Sequence, residues 1–455
     1  EIVVIPLTDY LSRVFSFRKI MITFATLFAA FSVACTFTHD LPSMIAMRGL
    51  QGFFGGVLIP MAFTLVFTKL PKVQQPIGLA MFALAVTFAP AIGPTIGGYL
   101  TENYGWQTIF FVNVIPTAVM VATLSFTLER QPMQLHLLRE GDWLGIITMA
   151  VGLSSLQAVL EEGNKDDWFG SPFIVKLAVI AAVSLTLFIW IELVVEKPLL
   201  RLRLLTQRSF GFGTISAVFV GFALFGSVYL LPAYLGQVQR YNAEQIGQVL
   251  AWTGLPQLIL IPLVPKLMQR FDARLIAFTG MALFAVSSFM NIQMSLDYSG
   301  DQFFYPNIVR AVGQAITLAP LSAISLGSVA PQDAPAASGI SNMMRNLGGA
   351  VGLAVINEVL NDRTDLHISR LQDRVTWGNT MAVETLNNFA QRLQGMGDST
   401  LMAMKQLSQL VHRQAAVMGY GDAFFMLSLF YVALSLLVLF VNKPPSMAAG
   451  GGDAH

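Results

Sequence analysis

Three arginines stand inside long apolar runs of this chain. They are Arg48 in "SMIAMRGLQGFFGG", Arg310 in "FFYPNIVRAVGQAITL" and Arg345 in "SNMMRNLGGAVG". An arginine inside a bilayer costs about 2.5–3.5 kcal/mol on insertion scales, so it must face a bundle interior or water and find partners there. Two chemistries fit such a residue. It can act as a fixed positive charge that lowers the pKa of a nearby carboxylate, or it can snorkel to an interface. Arg48 lies about six residues into its run and Arg310 near one end of its own, which leaves both chemistries open. Arg345 is deeper, beside Asn342 and Asn346, where the alternative to a functional role is helix-to-helix glue. Little else is reactive. One cysteine, Cys35, excludes a disulfide framework and a cysteine metal cluster. The five histidines (His39, His136, His367, His412, His455) have no ligand spacing. No paired carboxylates, nucleophile elbow or phosphate-cradling loop is visible, which argues against an enzyme.

The elements that must hold these arginines are membrane helices. Apolar residues make up 55% of the chain and charged residues 12%, where a soluble domain has about 25% charged residues. Apolar stretches long enough to cross a bilayer recur throughout. Twelve complete spans are expected, at 20–38, 42–68, 75–101, 106–128, 142–160, 171–195, 209–235, 245–268, 274–294, 303–328, 335–360 and 421–441. The run 1–14 reads as the end of a thirteenth. The chain opens on Glu1 in hydrophobic sequence, so the first helix and part of the second are expected upstream of it, fourteen spans in all.

Orientation follows from the basic residues. One set of alternate loops holds Arg13, Arg18, Lys19, Lys69, Lys72, Arg130, Arg139, Lys197, Arg201, Arg203, Arg208, Lys266, Arg270, Arg274 and Lys443, against Lys165 and Arg240 on the other side. The positive-inside rule puts the larger set in the cytoplasm, and both ends of the full protein with it.

The stretch "IPLTDYLSRVFSFRKI" from Ile5 has an echo in "IPLVPKLMQRFDARLI" from Ile261, with seven matches in sixteen positions. Each copy ends one apolar run, supplies a basic turn and starts the next. Two related bundles in parallel orientation leave such a repeat; the competing explanation is chance similarity of short amphipathic loops. The spans at 142–195 have no counterpart and read as a two-helix insertion. The expected fold is all-α and polytopic: two six-helix bundles with two inserted central helices. The units are an N-terminal bundle at 1–128, the insertion and its cytoplasmic linkers at 129–208, a C-terminal bundle at 209–441 and a cytoplasmic Gly-rich tail at 442–455.

"RGLQGFFGG" from Arg48, "PAIGPTIGG" from Pro90 and the basic turn after "PLTDYL" resemble the motifs of the major facilitator superfamily. The span count and "GPTIGG" resemble its fourteen-span drug:proton antiporter-2 family. "DWLGIITMAVGLSSLQAVLEEGNKDDWFG" from Asp142, "GWQTIFFVNVIP", "YLLPAYLGQVQRYNAEQIG" and "SNMMRNLGGAVG" are similar to the multidrug-resistance B subunits of tripartite efflux pumps. The resemblance covers essentially the whole chain in motif order. Departures exist: Ile5 and Ser12 stand where the family's first turn carries glycines, with Asp9 and Arg13 kept, and Ala80 and Ala89 replace two glycines before Gly-Pro. The acidic residue of the family's first helix falls upstream of Glu1.

The resemblance implies a proton-driven antiporter of the bacterial inner membrane. It would export small hydrophobic compounds, with the proton gradient as energy source and no cofactor or metal. Its implied partners are membrane lipid, a periplasmic adaptor and, through that, an outer-membrane channel; nucleic acid is not among them. Arg48 with Gln51, and also Arg310 and Arg345, take the proton-coupling role. Asp9, Arg13, Arg18 and Lys19 form the cytoplasmic gate turn. Pro90, Gly93, Pro94, Gly97 and Gly98 form a bendable contact, because prolines permit bending and glycines let another helix approach; a static packing face is the alternative. Phe53, Phe88, Asn113, Tyr229, Tyr234 and Asn342 are candidates for the substrate cavity near the midplane between bundles.

Residues 362–420 form the longest connection, on the outer side. Leu386, Phe389 and Leu393, then Leu401, Met404, Leu407 and Val411, recur at helical spacing, with "GMGD" at 395–398 between them. The spacing predicts a helical hairpin whose apolar faces are buried against the transporter, the membrane surface or a partner; the resemblance implies a periplasmic adaptor, with a lid on the outward-facing cavity as the alternative. Other functions consistent with the sequence are export of one endogenous compound, such as a fatty acid or siderophore, and a non-transporting receptor or scaffold.

Overall fold

The computed structural model describes residues 1–455 except 72–73, 196–197, 327–328, 330–332, 394–397 and 440–455. Lys72, Lys197, Lys443, most of "GMGD" and the tail at 442–455 therefore lie outside the described residues. The N-terminal helices are α1 (Thr8–Phe15), α2 (Phe17–Cys35), α3 (Leu41–Gly56), α4 (Leu58–Lys69), α5 (Gln75–Tyr104), α6 (Thr108–Phe111) and α7 (Val114–Thr127). A central pair follows, α8 (Trp143–Glu162) and α9 (Pro172–Val194). The C-terminal set is α10 (Arg208–Gln237), α11 (Ala243–Leu260), α12 (Val264–Arg270), α13 (Ala273–Met290), α14 (Phe304–Leu326), α15 (Ala334–Gln372), α16 (Thr380–Arg392) and α17 (Ser399–Leu439). Among the described residues there are no strands.

Eleven of the twelve expected spans are long and apolar enough to cross a membrane. The twelfth, 335–360, is the first part of α15, whose Asn342, Arg345, Asn346 and Glu358 dilute its apolar character. It nonetheless packs inside the C-terminal bundle against α10 and α17. The run 1–14 differs from the expected helix end. Residues 2–7 form turns, and α1 begins only after Pro6, which has no amide hydrogen to give a helix. Val4, Ile5, Leu7 and Val14 are buried.

The echo is reproduced in three dimensions. Pro6 and Pro262 each precede a short helix, α1 and α12, and a longer one, α2 and α13, follows each. Both pairs of helix starts, Thr8 with Val264 and Phe17 with Ala273, keep the spacing of the sequence repeat. The break before α2 is Ser16 at φ 71°, and before α13 it is Asp272, whose side chain accepts from Arg274 N at 2.9 Å.

Within the N-terminal set α2 packs on α3 and α7; in the C-terminal set α13 packs on α14 and α17, and α10 on α15 and α17. The two sets meet mainly through α5 against α11, with α4 against α15. The central pair packs on itself, where Gly152 leaves room for Leu185, and touches α15 through α8. The loop joining its two helices is tied to α15. Asn164 Nδ2 and Trp168 Nε1 donate to Glu358 Oε2 at 2.5 and 2.6 Å, and Asn361 Nδ2 donates to Asn164 Oδ1 at 2.8 Å. The C-terminal end of α9 is fixed by Glu192, 4% exposed, whose Oε2 accepts from Leu200 N at 3.0 Å.

The segment 362–420 is not a separate hairpin. α15 runs unbroken from the bundle to Gln372, and α17 runs unbroken from Ser399 into the last span. Between them α16 packs on α17 around Leu386, Leu393 and Ala403, with Phe389 and Leu407 partly buried against them. Leu401, 65% exposed, faces outward.

Candidate functional site

Arg48 projects from α3, whose start is capped by Asp40 accepting from Ser43 N at 2.8 Å. Its Nη1 donates to Gln51 Oε1 at 2.9 Å, one turn further along the same helix. Gln51, 3% exposed, passes the network on: its Nε2 donates to Ser32 Oγ of α2 at 2.9 Å. Ser32 also accepts from Asn113 Nδ2 at 3.0 Å and donates to the Phe110 carbonyl at 2.8 Å. The Arg48 guanidinium lies 5.6 Å from the Phe110 ring centre, in cation–π range. A chain of polar groups thus joins α2, α3 and the start of the α6–α7 span, with Arg48 at its exposed end. No described carboxylate pairs with Arg48.

Arg310 has the opposite setting. It is 6% exposed in α14, near Tyr431 of α17, and its Nε is buried without a hydrogen-bond partner. Its helix carries further amides on neighbouring turns. Asn307 Nδ2 donates to Val249 O at 2.9 Å, and Gln314 Oε1 accepts from Gln257 Nε2 at 3.2 Å. Tyr431 donates to Ala223 O at 2.7 Å and stacks on Phe284.

Arg345 sits where the two bundles meet. Its Nη2 donates to Asn342 Oδ1 at 2.6 Å, and Asn342 Nδ2 in turn donates to Ser338 O at 2.9 Å. Arg345, Asn342 and Ser341 border a cavity of about 40 Å³ together with Phe63 of α4, Phe82 of α5 and Leu318 of α14. Ser341 Oγ is buried without a partner. No acidic residue lines this space. Drug-sized ligands occupy sites of about 300–1,000 Å³, so the bundles must separate here before one can enter.

The proline–glycine run lies on α5, which stays continuous through Pro90 and Pro94. A Cβ on Gly98 would run into the Ala243 carbonyl of α11. On the facing helix a Cβ on Gly247 would lie 2.6 Å from Thr95 Cα, and one on Gly254 3.3 Å from Ala91. Thr95 Oγ1 donates to Gly247 O at 2.6 Å, and Glu102 Oε1 accepts from Ala243 N at 3.2 Å. Gly93 and Gly97 differ from the expectation: a Cβ at either meets nothing within 4 Å. The close approach is made by Gly98 on one side and by Gly247 and Gly254, absent from the sequence reading, on the other.

In the basic turn, Asp9 and Arg13 pair at 3.1 Å and Arg18 Nη2 donates to Ser125 O at 2.6 Å, while Lys19 is exposed. Asp9 and Arg13 also border a cavity of about 730 Å³ with Asp142, Glu192 and Arg201. Arg201 pairs with Asp333 at the entrance to α15.

The six cavity candidates fall in separate places, and Asn342 alone among them borders the inter-bundle space. Asn113 belongs to the Arg48 network. Phe53 packs on Phe24 and Phe54. Phe88 is half-buried on α5 and Tyr229 half-buried against the C-terminal core. Tyr234 is fully buried, its hydroxyl 3.1 Å from the Ser295 and Tyr298 carbonyls and accepting from Gln239 Nε2 at 2.9 Å, a pin for the 291–303 loop. Sequence reading missed Ser32, Gln257, Gln314 and Glu358. Gln257 and Gln314 carried a signal, a lone polar residue inside an apolar run, as the arginines did; Ser32 and Glu358 carried none of their own.

Two helical bundles that meet through a glycine seam and share a small, mostly apolar cavity with one arginine at its edge have the architecture of a multi-pass membrane transporter. The chain belongs to the major facilitator superfamily: the sequence profile described as "Major Facilitator Superfamily" matches residues 1–353. It is 32% identical over 447 residues to the colistin resistance protein EmrB of Acinetobacter baumannii, covering 97% of this chain and 87% of the relative. It is 30% identical over 455 residues to the multidrug export protein EmrB of Escherichia coli strain K12, covering 99% and 87%. The fatty acid resistance protein FarB of Neisseria gonorrhoeae is 29% identical over 449 residues, with coverage of 98% and 87%. The fold is shared with the solved proton:xylose symporter XylE at TM-score 0.54 and 15% identity, covering 97% of this chain and 84% of that one.

Proposed function

We propose that this chain is a proton-driven antiporter that exports hydrophobic and amphipathic compounds across the bacterial inner membrane, with both ends of the full protein in the cytoplasm. It would serve as the energised subunit of a tripartite pump, passing its cargo to a periplasmic adaptor and an outer-membrane channel. The observation that carries this reading is the placement of Arg345. It borders a carboxylate-free cavity between two bundles, beside Phe63 and Phe82, where charge and aromatic surface would suit an amphipathic guest. Similarity to the two multidrug and colistin resistance proteins supports it. Rocking of one bundle against the other about the α5–α11 seam would expose the cavity to each side in turn. The Arg48 network would supply the fixed charge against which a protonatable group is tuned.

The test is dye extrusion by the purified protein in proteoliposomes with an imposed pH gradient. Wild-type protein is expected to extrude ethidium only while the gradient lasts, and Arg345→Ala to lose at least tenfold in rate. Gradient-independent dye movement, or none at all, would overturn the proposal. A second reading, export of a single amphipathic acid, is favoured by the cationic cavity and by similarity to the fatty acid resistance protein. Extrusion restricted to decanoate, with ethidium excluded, would select it.

A further inference from the structure

An apolar hollow lies among the end of α15, α16 and the start of α17. Its volume is about 390 Å³, against about 40 Å³ at Arg345. Three walls enclose it: Val375 and Trp377 in the turn after α15, Leu386 of α16, and Met404 and Leu407 of α17. Its polar atoms come from Gln372, Thr376 and Ser408, and no charged side chain lines it. Trp377 is 76% exposed and stands at the mouth. Leu386, which lines it, also belongs to a packed cluster with Leu393 and Ala403 that joins α16 to α17.

We propose that this hollow binds a small hydrophobic molecule with an uncharged aromatic or aliphatic body. The volume falls in the range of small-molecule sites, and an apolar wall with a few hydrogen-bonding groups is their usual lining. The absence of lining charge fits such a guest better than an acidic or basic peptide, which needs a counter-charge. The exposed indole offers a flat face to an aromatic guest as it enters. This proposal rests on the exporter reading for the origin of the guest. The hollow lies on the side the positive-inside rule makes external, so a compound released there would meet it before bulk water.

The test uses the full-length protein in lipid nanodiscs and the neutral probe N-phenyl-1-naphthylamine. Energy transfer from Trp377 is taken as the difference between wild type and Trp377→Phe. Saturable transfer is expected, and the double variant Ala382→Phe, Ser408→Leu, which fills the hollow, should weaken it at least tenfold while helicity is unchanged. Competition by decanol on the wild-type protein gives a second reading that needs no filled variant. Transfer that rises without saturating reports partition into lipid and overturns the proposal, as does equal transfer in the filled variant or no effect of decanol. Loss of adaptor co-purification in the filled variant with undiminished probe transfer would make the hollow a protein-docking face and would also overturn it. Dye extrusion by the same preparations separates the two readings. Extrusion without probe binding removes the site alone, and probe binding without extrusion removes the exporter alone.

Discussion

Arg48 makes one hydrogen bond within its own helix and has no described counter-ion, so its removal is cheap for folding. Hydrogen bonds between membrane helices average about 0.6 kcal/mol. Arg48→Ala is therefore expected to insert and express normally while proton-driven extrusion falls at least tenfold. Arg48→Lys keeps the charge but loses the planar fork, and partial activity is expected. Wild-type extrusion rates for the alanine variant in the proteoliposome assay would remove Arg48 from coupling. Ser32 sets a different case. Its hydroxyl holds Gln51, Asn113 and the Phe110 carbonyl together, so Ser32→Ala should loosen three segments and lower thermal stability more than Arg48→Ala does. A thermal melt of the two variants decides that order. Arg48 and Gln51 were legible because residue type and one-turn spacing are written in the sequence. Ser32 was not: a serine among small apolar residues looks like packing until the distant Asn113 is brought beside it.

At the scale of elements, the seam between α5 and α11 makes a prediction that separates two adjacent glycines. Gly98→Leu must push against the backbone at Ala243, whereas a side chain at Gly97 enters open space. Overpacking a close contact costs about 1–3 kcal/mol. Gly98→Leu is expected to cut extrusion severalfold and Gly97→Leu to leave it within twofold; equal effects on dye efflux would show that the seam is not a close moving contact. Gly247→Leu, from the other side, should behave as Gly98→Leu does. The motif's place on one helix could be read from the sequence, but which of its glycines faces α11 is set by helix rotation. A period of 3.6 residues per turn turns Gly97 and Gly98 about 100° apart. The central pair is a second case. The two hydrogen bonds from Asn164 and Trp168 to Glu358 hold the insertion to the C-terminal bundle. Hydrogen bonds to charged groups contribute about 1.5–3 kcal/mol each, so Glu358→Ala is expected to expose the 163–171 loop to protease. Unchanged cleavage would make that contact incidental. No local pattern marked Glu358, because its partners are almost two hundred residues away.

For the molecule as a whole, the repeat and the order of helices were legible, since hydropathy and prolines alone divide the chain. The outer segment was legible only as helical spacing. Periodicity marks 386–393 and 401–411 as helical, but not that the second is one piece with the last span, nor that α15 runs on to Gln372. Replacing 364–416 by a short Gly/Ser linker is expected to leave both bundles folded and proton-driven extrusion in proteoliposomes intact, while resistance of whole cells falls. Unchanged resistance would show that the segment has no part in hand-over. The continuity of α15 and α17 has a mechanical consequence. At 1.5 Å per residue these helices are about 60 Å long, roughly twice the hydrocarbon thickness of a bilayer. A stiff rod pivoting at its membrane-embedded part acts as a lever, and its free end travels further than the part that tilts. A tilt of about 10° at the bundle would swing the α16 platform by roughly 5 Å over a 30 Å arm. In the proposed exporter the α16 platform would then be a pointer driven by the C-terminal bundle, and whatever touches it would sense each stroke of the cycle without touching the membrane.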